Sequence, residues 1–283
     1  MIQRRTIAAP VTIAGPALFN GLDSTLVVQP APTQSGLCFR ADSKISPITI
    51  DQVSDKPAHP IFQSQRPRCT SVRAGKDYSI AMIEHAMAAL AGLGVTDAIL
   101  ETTSTELPIL DGSARDLTKA IQAVGIVKLE SSIQPIQIHE TIEYHDRDAT
   151  IIVEPCDTTD YTYHLDYGPD SPIPESTARW LGDPEDFAQS IAPARTFSTA
   201  TEANQMKKLG LFCRFTPADL LVIDHDGPIE NTLRFPDECA RHKLLDLIGD
   251  LALLGRPLHA KVRAHKSGHA DTHALCQLIL NAQ

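Results

Sequence analysis

Glu84-His85-Ala86-Met87-Ala88-Ala89-Leu90-Ala91-Gly92-Leu93-Gly94 sets two ionisable side chains at the head of an Ala-, Met- and Leu-rich run that stops at glycine. From Tyr78 to Leu93 the sequence reads as a buried helix, with Gly92 and Gly94 where a helix C-cap is expected. A short strand, Asp97 to Thr102, follows. The unit recurs: Leu251-Ala252-Leu253-Leu254-Gly255 aligns with Leu90-Ala91-Gly92-Leu93-Gly94, and His259 to Arg263 aligns with the strand Ala98 to Thr102. The same register sets Asp246 opposite His85. Two such units with metal-capable residues at one equivalent position imply two helices packed face to face across a pseudo-twofold interface.

Working outward, Thr6 to Pro30 mixes β-branched alternation with turn signals at Gly15, Asn20 and Gly21, and reads as antiparallel strands. Glu106 to Ser113 is a turn cluster, and Ala114 to Val124 is a second helix stopped by Gly125. The pattern weakens between Lys128 and Pro135, then strands resume at Ile136–Ile142, Ala149–Pro155 and Thr162–Tyr167. A Pro-rich loop from Pro169 to Pro174 and a helix near Pro184 to Ile191 come next. A long helix then starts after Phe235, with Pro236 suited to its first turn and Asp237 and Glu238 facing the positive dipole end, and closes at Gly255. The second half thus repeats the order of the first. The expected fold class is α+β: two similar domains, residues 1–129 and 130–283, each a two-layer α/β sandwich, with the helices between the sheets.

With 283 residues, 42% of them hydrophobic, the chain can fill one large core or two modest ones. A net charge of −10 argues against nucleic-acid binding through phosphates, so an anionic ligand needs a local basic pocket. No stretch approaches the roughly 20 apolar residues of a membrane span, and the N-terminus lacks the apolar core of a secretory signal. A cytoplasmic monomer without membrane insertion is expected. The six cysteines, Cys38, Cys69, Cys156, Cys213, Cys239 and Cys276, include no C-x-x-C pair, which fits reduced thiols better than a disulfide frame or a thiolate zinc site.

His242, Asp246 and Asp250 recur every fourth residue, a step of about 400° that puts them on one ridge of a helix. Leucines and Ile248 surround that ridge, and burying carboxylates without partners is costly, so a cation or a hydrogen-bond network is required. An exposed polar face is the ordinary alternative. Glu84-His85 repeats the anomaly on the duplicated helix. One His from one helix with a His and an Asp from the other makes a three-ligand shell with an open fourth position, as catalytic zinc has. Ferrous iron would accept the same donors. Glu84, adjacent to ligand His85, is the candidate general base, its alternative being a surface Glu. His265, His269 and His273 form a rival metal set, but Ser267 and Gly268 interrupt the helical pattern between them. His269 is better placed as an acid, with Asp250 orienting its other ring nitrogen.

Taken in order, Glu84-His85, Leu90-Ala91-Gly92-Leu93-Gly94, Pro108-Ile109-Leu110-Asp111-Gly112-Ser113, Ala194-Arg195-Thr196-Phe197, Arg241-His242 through Gly249-Asp250, and Lys266-Ser267-Gly268-His269 resemble the UDP-3-O-acyl-N-acetylglucosamine deacetylase family across nearly the whole chain. The resemblance implies paired α+β sandwiches and zinc-dependent removal of the N-acetyl group from a small-molecule UDP-sugar lipid, the committed step toward lipid A. It implies that Glu84 is the base, that His269 protonates the amine or steadies the oxyanion, and that Thr196 donates to that oxyanion. Lys243 and Lys266 would meet the diphosphate, Tyr167 would stack on uracil, and Phe197 would touch the sugar or acyl chain. Cys69 is counted with these substrate contacts.

The chain also departs from the family. Gly15-Pro16-Ala17-Leu18-Phe19 stands where a Gly-x-Gly-Leu-His segment is usual, Phe212-Cys213-Arg214-Phe215-Thr216 replaces a Gly-Gly-Ser loop, and Gly168-Pro169-Asp170 lacks a His-Pro pair. A narrowed, shifted or differently selective acyl passage is expected. Two other readings follow: a divergent paralogue that deacylates another nucleotide amino sugar, and a non-catalytic binding protein that kept zinc.

Overall fold

The computed structural model describes residues 1–41, 44–63, 66–74 and 78–283. The duplication read from the sequence is a duplication of topology. In the first half, β2 (Val11–Pro16), β3 (Asp23–Pro30), β4 (Leu37–Ala41), β5 (Lys44–Pro47) and β8 (Ala98–Thr102) form a sheet ordered β2-β3-β8-β4-β5. In the second half, β11 (Ile142–Asp146), β12 (Ala149–Pro155), β13 (Asp160–Leu165), β14 (Ser176–Trp180) and β18 (Leu258–His265) are ordered β11-β12-β18-β13-β14. In both, the last strand to be made enters the centre, antiparallel to one hairpin and parallel to the other. The short β10 (Ile136–Gln137) adds to β18. One contiguous apolar cluster draws residues from both halves.

Each central strand is preceded by the helix that the repeat identified. Helix α1 spans Glu84–Gly92 and α5 spans Glu238–Leu251, and the two pack against each other along their lengths. Their closest approach is set by Gly249: a Cβ there would lie 2.1 Å from the Glu84 carbonyl oxygen and 3.2 Å from the Ala88 nitrogen. Only glycine lets the backbones meet so closely, and this contact brings the polar ridge of α5 to the head of α1. A second close fit places Gly92 against the Phe187 ring, 2.4 Å from where a Cβ would stand.

Several expectations need correction. The helix expected from Tyr78 begins only at Glu84, because Ser79–Ala81 is strand β7, paired with β6 (Ser71–Arg73), and Met82 takes a left-handed φ of 62° that a helix cannot contain. Pro236 lies before the α5 cap, Asp237, and not in the first turn. At its other end α5 runs into a 3-10 turn, Ala252–Leu254, and stops at left-handed Gly255, as the sequence suggested. The weakly patterned stretch around Lys128 is strand β9 (Ile126–Ile133), which pairs antiparallel with β1 (Ile2–Ile7); its alternation is faint because most of its side chains are only half-buried or exposed. The single strand expected over Ile136–Ile142 is two separate pieces, β10 and the start of β11, and the strand placed at Thr162 to Tyr167 lies at Asp160–Leu165.

The remaining helices are α2 (Arg115–Val124), ended at Gly125 as expected, the short α3 (Pro184–Asp186) continued by a wider turn over Phe187–Ile191, α4 (Ala200–Lys208) and α6 (His269–Asn281). Helix α4 sits between β15 (Phe197–Thr199) and β16 (Leu221–Asp224), and β17 (Gly227–Pro228) closes that small sheet. A Thr199 and Glu202 capping box starts α4. No helix is long and apolar enough to cross a membrane among the described residues.

Candidate metal centre and active site

Helix α1 delivers His85 from its second position, and α5 delivers His242 and Asp246 one turn apart, so three potential ligand atoms converge within 4.8 Å of one another. His242 Nε2 is 3.4 Å and His85 Nε2 is 3.7 Å from the same oxygen, Asp246 Oδ1. The two imidazoles stand edge to face, 5.0 Å apart. His242 donates from Nδ1 to the Ala194 carbonyl at 3.1 Å, which fixes the tautomer and leaves its Nε2 lone pair facing the centre.

The fit to a cation rests on one atom. Asp246 Oδ1 is buried with no hydrogen-bond partner, whereas its Oδ2 accepts from Lys243 Nζ at 2.7 Å. An ionised oxygen without a donor is costly in the interior, and a cation between it and the imidazoles removes that cost. Protonation states agree. Burial pushes His85 down to about 3 and His242 downward as well, so both are neutral donors. Burial alone would raise Asp246, but the charge of Lys243, with that of the His269 imidazolium, outweighs it and holds the carboxyl below its ordinary range.

Beside the ligands stand the remaining ionisable groups. Glu84 is 2% exposed, and burial pushes its carboxyl up to about 8. Its Oε2 accepts from the Thr70 backbone N–H at 3.0 Å, and its Oε1 lies 4.0 Å from His269 Nε2. His269 is the first residue of α6, and its Nδ1 meets Asp250 Oδ2 at 2.8 Å. Burial works against the imidazolium, yet the Asp250 carboxylate outweighs burial and lifts His269 to about 9. Asp250 in turn is depressed: burial would raise it, but His269 prevails.

A cavity of about 190 Å³ opens over this group, lined by Glu84, His85, His242, Asp246, His269, Lys243, Thr196, Phe197 and Tyr167, with Leu18, Phe19, Pro67, Arg68, Met82 and Gly268. Two neighbours share its walls. A polar one of about 410 Å³ is lined by Tyr167 and by Lys243, Lys266, Arg66 and Arg147, interleaved with Asp146, Asp148, Asp166 and Asp271. An apolar one of about 180 Å³ runs beside α4, lined by Phe19, Thr196, Phe197, Met206, Phe212 and Phe215 among others. All the residues singled out from the sequence as ligands, base, acid and substrate contacts thus surround these connected spaces, except Asp250, which lies behind His269, and Cys69.

Cys69 is 5% exposed and belongs to the apolar core; burial and then the Glu84 charge raise its thiol well above the ordinary range. Two lysines also carry more than the sequence suggested. Lys243 is engaged with Asp246, and Lys266 Nζ lies 2.9 Å from Asp166 Oδ2. The rival histidine set does not assemble: His265 ends β18 near Asp166, while His269 and His273 sit on α6 beside Asp250, and the one potential ligand cluster among the described residues is that of His85, His242 and Asp246. Sequence reasoning missed Thr70, Arg66 and Arg68, which come from an irregular segment with no periodic signal. It also missed that the two departures meet: the Phe19 and Phe212 rings are 5.9 Å apart, with Phe62 edge-on to Phe19 at 5.3 Å.

Comparison with known proteins bears on the same chemistry. The chain is 36% identical over 281 residues to the UDP-3-O-acyl-N-acetylglucosamine deacetylase of Synechocystis, covering 97% of each chain. It is 34% identical over 285 residues to the protein of that name from Leptospira biflexa, covering 99% of this chain and 91% of the relative. With the Anaeromyxobacter dehalogenans deacetylase it shares 34% over 279 residues, 98% of this chain and 87% of the relative. Residues 4–281 match one family profile, and with relatives of this similarity along nearly the full length, the chain belongs to the UDP-3-O-acyl N-acetylglycosamine deacetylase family.

Proposed function

We propose that this enzyme hydrolyses the N-acetyl amide of UDP-3-O-acyl-N-acetylglucosamine, the committed step of lipid A assembly, with zinc held by His85, His242 and Asp246. The observation that carries the reading is the partnerless Asp246 Oδ1 between two imidazole nitrogens, next to a buried carboxyl and an imidazolium, in a chain of this family. When bound, zinc supplies Lewis acidity: it lowers the pKa of water from about 15.7 to about 7 and polarises the amide carbonyl.

The side chains do the rest. Glu84, with one oxygen tied to Thr70 N–H and the other facing the cavity, takes the proton from the attacking water, and a cation held by the neighbouring ligands would favour the ionised form this needs against the burial that raises its carboxyl. Thr196, on the cavity wall, donates to the oxyanion as the carbonyl carbon becomes tetrahedral. His269, kept protonated by Asp250, delivers a proton to the nitrogen as the C–N bond breaks, giving acetate and the free amine. Lys243, Lys266 and the half-exposed Tyr167 offer charge and a ring face for the diphosphate and uracil in the larger polar cavity, and Phe197 leads to the apolar one. The halves 1–129 and 130–283 act as two domains that share one centre.

The test is acetate release from the UDP-acylglucosamine substrate by purified protein, together with metal analysis. About one zinc per chain, loss of turnover with chelator and recovery with zinc are expected. Recovery with ferrous iron alone would replace zinc as the native ion, and turnover indifferent to chelation would remove the metal mechanism. The contact between Phe19 and Phe212 supports a second reading, a paralogue acting on another nucleotide amino sugar. Faster turnover of a substrate lacking the 3-O-acyl chain would favour it.

A further inference from the structure

Thr70 touches both sides of the reaction centre. Its backbone N–H donates to Glu84 Oε2 at 3.0 Å, and its hydroxyl lies 2.5 Å from Asp250 Oδ1. The same hydroxyl oxygen is 3.0 Å from His273 Nε2 and 3.3 Å from His269 Nδ1. Thr70 is 1% exposed and Asp250 is 1% exposed, so neither can exchange these partners for water. The neighbourhood therefore has a defined polarity. An ionised carboxylate only accepts, so the single hydroxyl hydrogen of Thr70 goes to Asp250 Oδ1. His273 must then be the donor to the Thr70 oxygen, from Nε2–H. Asp250 keeps Oδ2 for His269 Nδ1–H at 2.8 Å.

We infer that Thr70 and His273 are positioning residues for the deacetylation: the Thr70 hydroxyl, itself oriented by His273, pins one oxygen of Asp250 so that the other faces His269, while the Thr70 amide pins Glu84. Without the hydroxyl, Asp250 Oδ1 would be left with His273 Nε2 at 3.6 Å, beyond good hydrogen-bond reach, so the carboxylate would gain a rotational choice and His269 could turn its Nε2 away from the cavity. One short residue from the segment before β6 thus joins the base on α1 to the acid on α6 through the ridge on α5. Neither residue coordinates the metal centre, so their effects separate from ligand loss. This inference rests on the roles proposed above for Glu84 and His269.

The experiment compares Thr70→Val, Thr70→Ser, His273→Leu and His273→Gln in the zinc-loaded full chain, with the parent assayed alongside for acetate release. Thr70→Val keeps the shape and the backbone N–H but removes the hydroxyl. It should lower kcat about 10- to 100-fold, the effect of removing a hydrogen bond to a charged group, with KM and zinc content unchanged. Thr70→Ser should restore kcat to within about threefold, and His273→Gln, whose amide can still donate to Thr70, should exceed His273→Leu by about tenfold. The inference is overturned if Thr70→Val keeps parental kcat, if Thr70→Ser is as slow as Thr70→Val, if the loss lies in KM or zinc content, or if the two His273 variants behave alike. An active parent with any of those results sinks the positioning role alone, whereas a parent that releases no acetate sinks the underlying reading with it.

Discussion

At the scale of single residues, the site is arranged so that burial and charge pull neighbouring groups apart: Glu84 is raised to about 8, His85 is lowered to about 3, and His269 is raised to about 9. Glu84→Ala should therefore lower kcat by about 10²- to 10⁴-fold, the contribution of a positioned general base, while zinc content stays near one per chain; metal loss that tracks the rate would overturn the base assignment. The same shift has a consequence for stability. In the metal-free protein, between the unfolded value near 4.3 and about 8, folded Glu84 keeps a proton that the unfolded chain has lost, so stability falls as pH rises through that window. Glu84→Gln removes this cost. Its melting temperature in chelator should exceed that of the parent by a margin that widens between pH values of about 5 and 8; a margin independent of pH would refute the burial argument. Above about 9 His269 loses its proton, so kcat/KM should fall on the alkaline side, and that limb should be missing from the residual activity of His269→Ala.

Elements position these residues through one close contact between helices. Gly249 lies between Asp246 and Asp250, and a methyl group there would overlap the carbonyl of Glu84. Gly249→Ala favours helix by intrinsic propensity, by about 1 kcal/mol, yet should destabilise the protein by more than that, because α1 and α5 must separate. We expect a lower melting temperature together with weaker zinc binding, since separation moves His85 away from Asp246; a stabilised variant with parental metal affinity would show that the contact is unimportant. The helices themselves were legible as apolar runs stopped by glycine. Their starts were less so: Ile80-Ala81-Met82 has helical composition, but pairing with β6 and the left-handed turn at Met82 override that preference.

For the whole molecule, the centre is a joint. His85 comes from the first half and His242 and Asp246 from the second, reinforced by Arg234 Nη2 to Asp111 Oδ2 at 2.7 Å and by Thr196 N–H to the Gly112 carbonyl at 2.6 Å. A ligand that binds only the folded state stabilises it by mass action, so removing zinc from a solution at about 100 times its dissociation constant should lower the melting temperature by roughly 5 °C. Asp246→Asn should melt at the same temperature with and without chelator; an undiminished shift in that variant would place the metal elsewhere. By itself the sequence determined the duplication, the two central helices and the identity of the metal-capable ridge, because helical period, glycine stops and the expense of burying charge are local facts. Tertiary structure alone decided how closely His85 approaches Asp246, that Cys69 turns into the core, and that Thr70 reaches Asp250 across 180 positions of chain. Those are distances between segments far apart in sequence, and they exist only once the two halves close on each other.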